Sequence, residues 1–181
     1  PAHTYTGSAI QPALTVTDGS PTIIQESDYT VSYTDNTEVG TATATITATA
    51  DGNYSGSASK TFEIVKADSV VGEPTISTVT YGQDFTVTFT PKLLTQKSFF
   101  ARMFSRSATA EKTAELYFGD TLLATQNNVT ENTEVTFTVN ADKRIPSSAY
   151  DGTAQTFTIR WGGDDNLNAS EGSVTATLNK K

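Results

Sequence analysis

Asp164, Asn166 and Asn168 stand at alternate positions at the head of the run DDNLNASEGSVTATL, residues 164–178. Their oxygens are the hard ligands that calcium takes. The pattern is incomplete, because the glycine an EF-hand loop needs at its sixth position is Ala169 and no glutamate follows at the twelfth. Asx side chains in a turn more commonly bond their own backbone, and that is the expectation for this loop. Catalytic parts are scarcer still. The single histidine is His3 and there is no cysteine. A Ser-His-Asp arrangement, a Cys-His pair and a histidine-ligated zinc site therefore each lack a member. The 20 Asp and Glu residues fall mostly in turns and at strand edges, where solvation accounts for them. Neighbours such as Asp164 and Asp165 do not define the carboxylate separation of glycoside hydrolysis. No catalysis and no cofactor are expected.

Binding chemistry has two candidate locations. Residues 91–110, PKLLTQKSFFARMFSRSATA, hold Lys92, Lys97, Arg102 and Arg106, no acidic residue, and the pairs Phe99/Met103 and Phe100/Phe104 at helical spacing. The spacing predicts a short basic amphipathic helix inserted near 92–108. Its apolar side either covers core or, ringed by Lys97, Arg102 and Arg106, docks an acidic glycan, a neighbouring domain or a membrane surface. Covering core is the favoured use. Trp161, between Ile159 and Gly163, is either core or rim, or a platform for a ligand.

These residues need a frame, and composition says which kind. The 181-residue chain is rich in Thr and Ser, 36% hydrophobic and 18% charged. Branching at Cβ suits half-buried sheets better than helices. No apolar run is long enough to cross a bilayer, so no membrane insertion is expected. The net charge of -8 opposes nucleic acid as a partner, since phosphates are met with Lys and Arg. Without cysteine, no disulfide staples the fold.

Alternation is the strongest pattern. In GTATATITATA, residues 40–50, Thr41, Thr43, Thr45, Thr47 and Thr49 share one face and Ala42, Ala44, Ile46 and Ala48 the other. Tyr29, Val31 and Tyr33 alternate before it, Phe62 and Ile64 after it. Asp18-Gly19, Asp35-Asn36 and Asp51-Gly52-Asn53 supply turns. ADSVVGEP, residues 67–74, reads as a joint because Gly72 and Pro74 punctuate it. A second β series follows, at 75–79, 80–90, 113–118, 121–125, 133–140, 154–162 and 173–178, about seven strands and so two packed sheets. Both series end alike, with an Asp/Asn turn, a large residue (Tyr54 or Leu167) that plugs the end, and a closing strand.

Residues 1–66 resemble the short Tyr-Thr-Gly repeat modules of bacterial, mostly Firmicute, surface proteins. The likeness rests on Tyr5-Thr6-Gly7, Ile10-Gln11-Pro12, Asp28-Tyr29-Thr30-Val31-Ser32-Tyr33, Gly40-Thr41-Ala42, Gly52-Asn53-Tyr54-Ser55-Gly56 and Thr61-Phe62-Glu63-Ile64. Residues 67–181 resemble bacterial immunoglobulin-like repeats. Here the matching parts are Tyr81-Gly82, Glu115-Leu116-Tyr117-Phe118-Gly119-Asp120 before Leu122-Leu123-Ala124-Thr125, and 158–167 with Ser170. The second match departs from the pattern at Leu167, where an aromatic is usual, and in its long connection between the second and third strands.

The resemblances imply an all-β chain of two tandem immunoglobulin-like β-sandwich domains, 1–66 and 67–181, the second with a short helical insertion. They also imply a bacterial, extracellular setting at the cell surface or wall, within a multidomain protein. A spacer that presents other domains of the same polypeptide is the expected role. Alternatives are an adhesin module for a host glycan or matrix protein, and an ancillary domain of an extracellular polysaccharide-degrading enzyme. Some surface domains of this kind cross-link Lys to Asn or Asp, but no motif singles out Lys60 or Lys112 for it.

Overall fold

The computed structural model describes residues 1–19, 24–95, 111–141 and 144–181. It is all-β. The strands are β1 (Ala2–Thr4), β2 (Tyr29–Thr34), β3 (Gly40–Ala48), β4 (Ser57–Val65), β5 (Ser69–Ile76), β6 (Val79–Thr80), β7 (Phe85–Leu93), β8 (Thr113–Phe118), β9 (Thr121–Asn127), β10 (Val135–Val139), β11 (Ala154–Trp161) and β12 (Ser170–Asn179). Only short 3-10 turns, Glu26–Asp28 and Ser147–Ala149, interrupt them among the described residues. No helix among these residues is long and apolar enough to cross a membrane. The chain divides into two compact units, Pro1–Lys66 and Ala67–Lys181.

In the first unit the order is β1-β4-β3-β2, with β1 parallel to β4 and the other pairs antiparallel. The alternation in β3 works as its period requires. Ala42 and Ala44 are buried on the side of Phe62 and Ile64, and the threonines face the other way. Phe62 sits edge-on to both His3 and Tyr33, at 5.4 and 6.4 Å between ring centroids. The described residues form one sheet here, where a sandwich calls for two. Residues 6–19 instead lie irregularly against it, tied by Tyr33 Oη donating to the Pro12 carbonyl (2.6 Å), Ile10 N–H to Asn36 O (2.7 Å) and Asn36 Nδ2 to Ile10 O (3.0 Å).

The second unit has two sheets, β10-β7-β5 and β6-β12-β11-β8-β9. Inward residues of both meet in one core. Phe85 of β7 and Phe157 of β11 contact across it with ring centroids 5.5 Å apart, and Phe89 stacks on Phe137 at 5.8 Å. Trp161, Leu116, Ile159, Leu167 and Leu178 are fully buried. Gly172 lets β12 approach β5 closely, since a Cβ there would stand 2.7 Å from Val71 Cβ.

Two expectations fail. The stretch 67–74 is no joint: Ser69–Ile76 is β5, hydrogen-bonded to β7. Gly72 and Pro74 mark a register shift between Gly72 and Thr75, with Glu73 at φ 47°. Glycine and proline punctuate bulged strands as well as linkers, and the two read alike in sequence. The expected helical insertion near 92–108 also starts too early, because Pro91, Lys92 and Leu93 belong to β7, opposite Val71, Val70 and Ser69. Residues 96–110 of that segment, with Lys97, Arg102 and Arg106, lie outside the described residues.

Candidate functional site

The loop after β11 is built around one carboxylate. Gly163, at φ 79°, turns the chain, and a Cβ on it would overlap the backbone of Leu167, Asn168 and Ala169. Asp164 follows and is 5% exposed. Its Oδ1 accepts from the N–H groups of Asn166 and Leu167, both at 3.0 Å, and its Oδ2 from the N–H of Glu131 at 2.9 Å. A charged acceptor of this kind makes stronger bonds than a neutral one. These bonds pin the turn to itself and to the approach to β10. The expected plug, Leu167, is completely buried beneath it; Tyr54, its counterpart in the first unit, is half-buried.

Around this centre the backbone knits the unit together. Ala67 N–H donates to Asn166 O (3.0 Å), Asn168 N–H to Ala67 O (2.8 Å) and Lys112 N–H to Gly163 O (2.7 Å). Ser69 Oγ donates to Asn168 O (2.6 Å), and Asn168 Nδ2 to Asp68 Oδ1 (3.2 Å). The Asp164 oxygens thus serve the frame by accepting from backbone N–H groups, and Asn168 serves it by donating its amide N–H to Asp68. Among the described residues no three His, Cys, Asp or Glu side chains gather as a metal would need. Lys112 Nζ meets Asp165 Oδ2 at 2.6 Å on the surface, and that hydrogen bond holds its ammonium above the usual lysine value. Such exposed pairs contribute little to stability.

Trp161 is core. Its ring has no exposed surface and its Nε1 donates to the Val129 carbonyl at 3.3 Å, so it offers no platform to a ligand. Burial with the indole N–H satisfied is the usual arrangement for an interior tryptophan. His3 is remote in kind as well as in sequence, its Nε2 buried without a hydrogen-bond partner and its ring against Phe62.

A polar cluster that sequence reading missed lies on the outer face of the five-stranded sheet. Pairing places Arg160 between Glu115 of β8 and Glu171 of β12. Arg160 Nε donates to Glu171 Oε2 (2.9 Å), its guanidinium lies 4.6 Å from the Tyr117 ring centroid, and Tyr117 Oη donates to Glu115 Oε2 (2.9 Å). Desolvation first, and the bond to Glu115 second, push the Tyr117 phenol up; the bond to Glu171 raises Arg160. The only sequence signal is that all four occupy outward positions of alternating strands. Their groups saturate one another and hold no nucleophile beside a base. In the first unit a cavity of about 190 Å³ is lined by Val16, Ile24, Asp28, Tyr29, Ile46 and Tyr54.

No family model matches this chain, and no curated protein matches it either.

Proposed function

We propose that the chain is a non-catalytic pair of immunoglobulin-like modules that serves as a spacer in a bacterial cell-surface or secreted protein. The observation that carries this reading is the use made of Asp164. The most buried carboxylate of the described residues holds backbone N–H groups in place, leaving the loop a fastening. The strand order supports the immunoglobulin-like assignment of the second unit. A three-stranded sheet β5-β7-β10 faces β12-β11-β8-β9, with β6 added beside β12, as sandwiches of that type distribute A-B-E against G-F-C-C′. The extracellular setting and the assignment of the first unit rest on the sequence resemblances alone.

The test is a binding screen of the purified chain on glycan and host-matrix arrays at physiological salt. A blank from folded protein is expected. Specific, saturable binding would replace the spacer with an adhesin module, and its loss in a Lys97→Ala/Arg102→Ala/Arg106→Ala variant would locate the contact.

A further inference from the structure

Strand β2 is the edge of the first unit's sheet, and its free side can be read from the ladder. Thr49 N–H donates to Asp28 O (2.9 Å), which makes 28/49 a hydrogen-bonded pair. In antiparallel sheets such pairs alternate with non-bonded ones. Thr30, Ser32 and Thr34 therefore direct their N–H and C=O groups to Thr47, Thr45 and Thr43 of β3, whereas Tyr29, Val31 and Tyr33 direct theirs outward. The next ladder agrees, since Ala48 N–H bonds Gly56 O and so turns the even residues of β3 toward β4. Among the described residues no backbone bond from another element reaches Tyr29, Val31 or Tyr33.

Natural edge strands are usually short, bulged, charged or proline-bearing, which keeps other strands from adding to them. The strand YTVSYT has none of these protections. Its register with β3 is unbroken over all six residues, it holds no charge and no proline, Thr30 to Ser32 are exposed, and Val31 is 40% exposed.

We infer that β2 docks a second copy of this chain, edge to edge and antiparallel, continuing one sheet into the next. The strand is its own complement. Tyr29, Val31 and Tyr33 all pair with one another only when the two-fold axis passes through Val31. Val31 then faces Val31, Tyr29 faces Tyr33, and Thr30 faces Ser32, each bonded pair exchanging both N–H···O bonds. Aromatic pairs and hydroxyl pairs are the favourable cross-strand combinations. An uncharged edge also spares an acidic chain like-charge contact along the strand. The acidic residues Glu26, Asp28 and Asp35 come near one another only at the two ends of the junction. The patch is small, so association is weak, and it tightens as salt screens the acidic ends.

Sedimentation of the full chain from about 10 μM to 1 mM tests this. A mass that rises toward twice the monomer with concentration, and more readily at 0.5 M than at 50 mM salt, is expected. Val31→Pro removes only an outward N–H, leaving the β3 ladder intact, and Val31→Lys places a charge on the edge; both should remain monomeric across the range. Amide exchange gives a second reading, with the Val31 and Tyr33 amides slowing as concentration rises while Ser32 is protected throughout. A chain that stays monomeric at 1 mM overturns the inference. So does a dimer that survives both substitutions, since it would use another surface.

Discussion

Removing the Asp164 carboxylate should cost more than any other single polar deletion in the second unit. In Asp164→Ala, the N–H groups of Glu131, Asn166 and Leu167 lose their acceptor at a site that is 5% exposed. Bonds to charged groups contribute about 1.5–3 kcal/mol each. The freed N–H groups recover part of that through entering water, which leaves a loss of about 4 kcal/mol, near the tail of single-substitution effects. Asp164→Asn is the finer probe. Its carbonyl oxygen can keep the Oδ1 bonds, but its NH₂ then faces the Glu131 N–H, donor against donor, for a loss of about 2 kcal/mol. Trp161 is the only tryptophan and is fully buried in this unit, so its fluorescence reports this unit's unfolding. At roughly 1.5 kcal/mol per molar urea, the alanine variant should unfold about 2–3 M earlier. An alanine variant within 1 kcal/mol of the parent, or an asparagine variant weaker than it, would refute the fastening role.

Gly163→Ala should destabilise by about 3 kcal/mol or more or prevent folding, because φ is 79° and the Cβ meets backbone. Gly119→Ala, at φ 56° with open space around it, should cost only about 1–2 kcal/mol, and the same fluorescence assay compares them. Tyr117 should be among the last phenols to ionise in an ultraviolet titration, and Tyr117→Phe should remove that late step. Because its folded-state value is raised, its contribution is complete below about pH 10 and is lost as pH climbs through the raised value. Asp151 behaves in the opposite sense. The Thr153 hydroxyl and then its N–H hold the carboxyl below the ordinary aspartate value, so the contribution exists above pH 3.8 and fades as pH falls through the lowered value. An NMR titration should show Thr153→Ala moving that carboxyl back toward the ordinary range.

Much of the sheet structure was legible in one dimension because a strand's period of two is written directly in residue type. The Thr/Ala alternation of β3, the Phe62 and Ile64 positions and the turn before Leu167 all follow from it. Gly72 and Pro74 misled because they interrupt that pattern whether the chain bends away or bulges in place. Pro91 misled similarly: as a proline in a strand it needs only a position whose N–H is not called upon. Asp164 read as a turn residue, which it is. Its third bond, to a residue 33 positions earlier, has no local trace.

The sequence by itself determined an all-β chain, the places of most strands and the absence of cysteine and of a second histidine, because these depend on composition and on periods a few residues long. Tertiary structure decided what those strands face. Trp161 went to the core, Arg160 went between Glu115 and Glu171, and the peptide groups of Tyr29, Val31 and Tyr33 were left on an open edge. Each of these outcomes depends on register, and register is set by contacts between residues far apart in the chain, where moving one strand by a single residue would reverse every face.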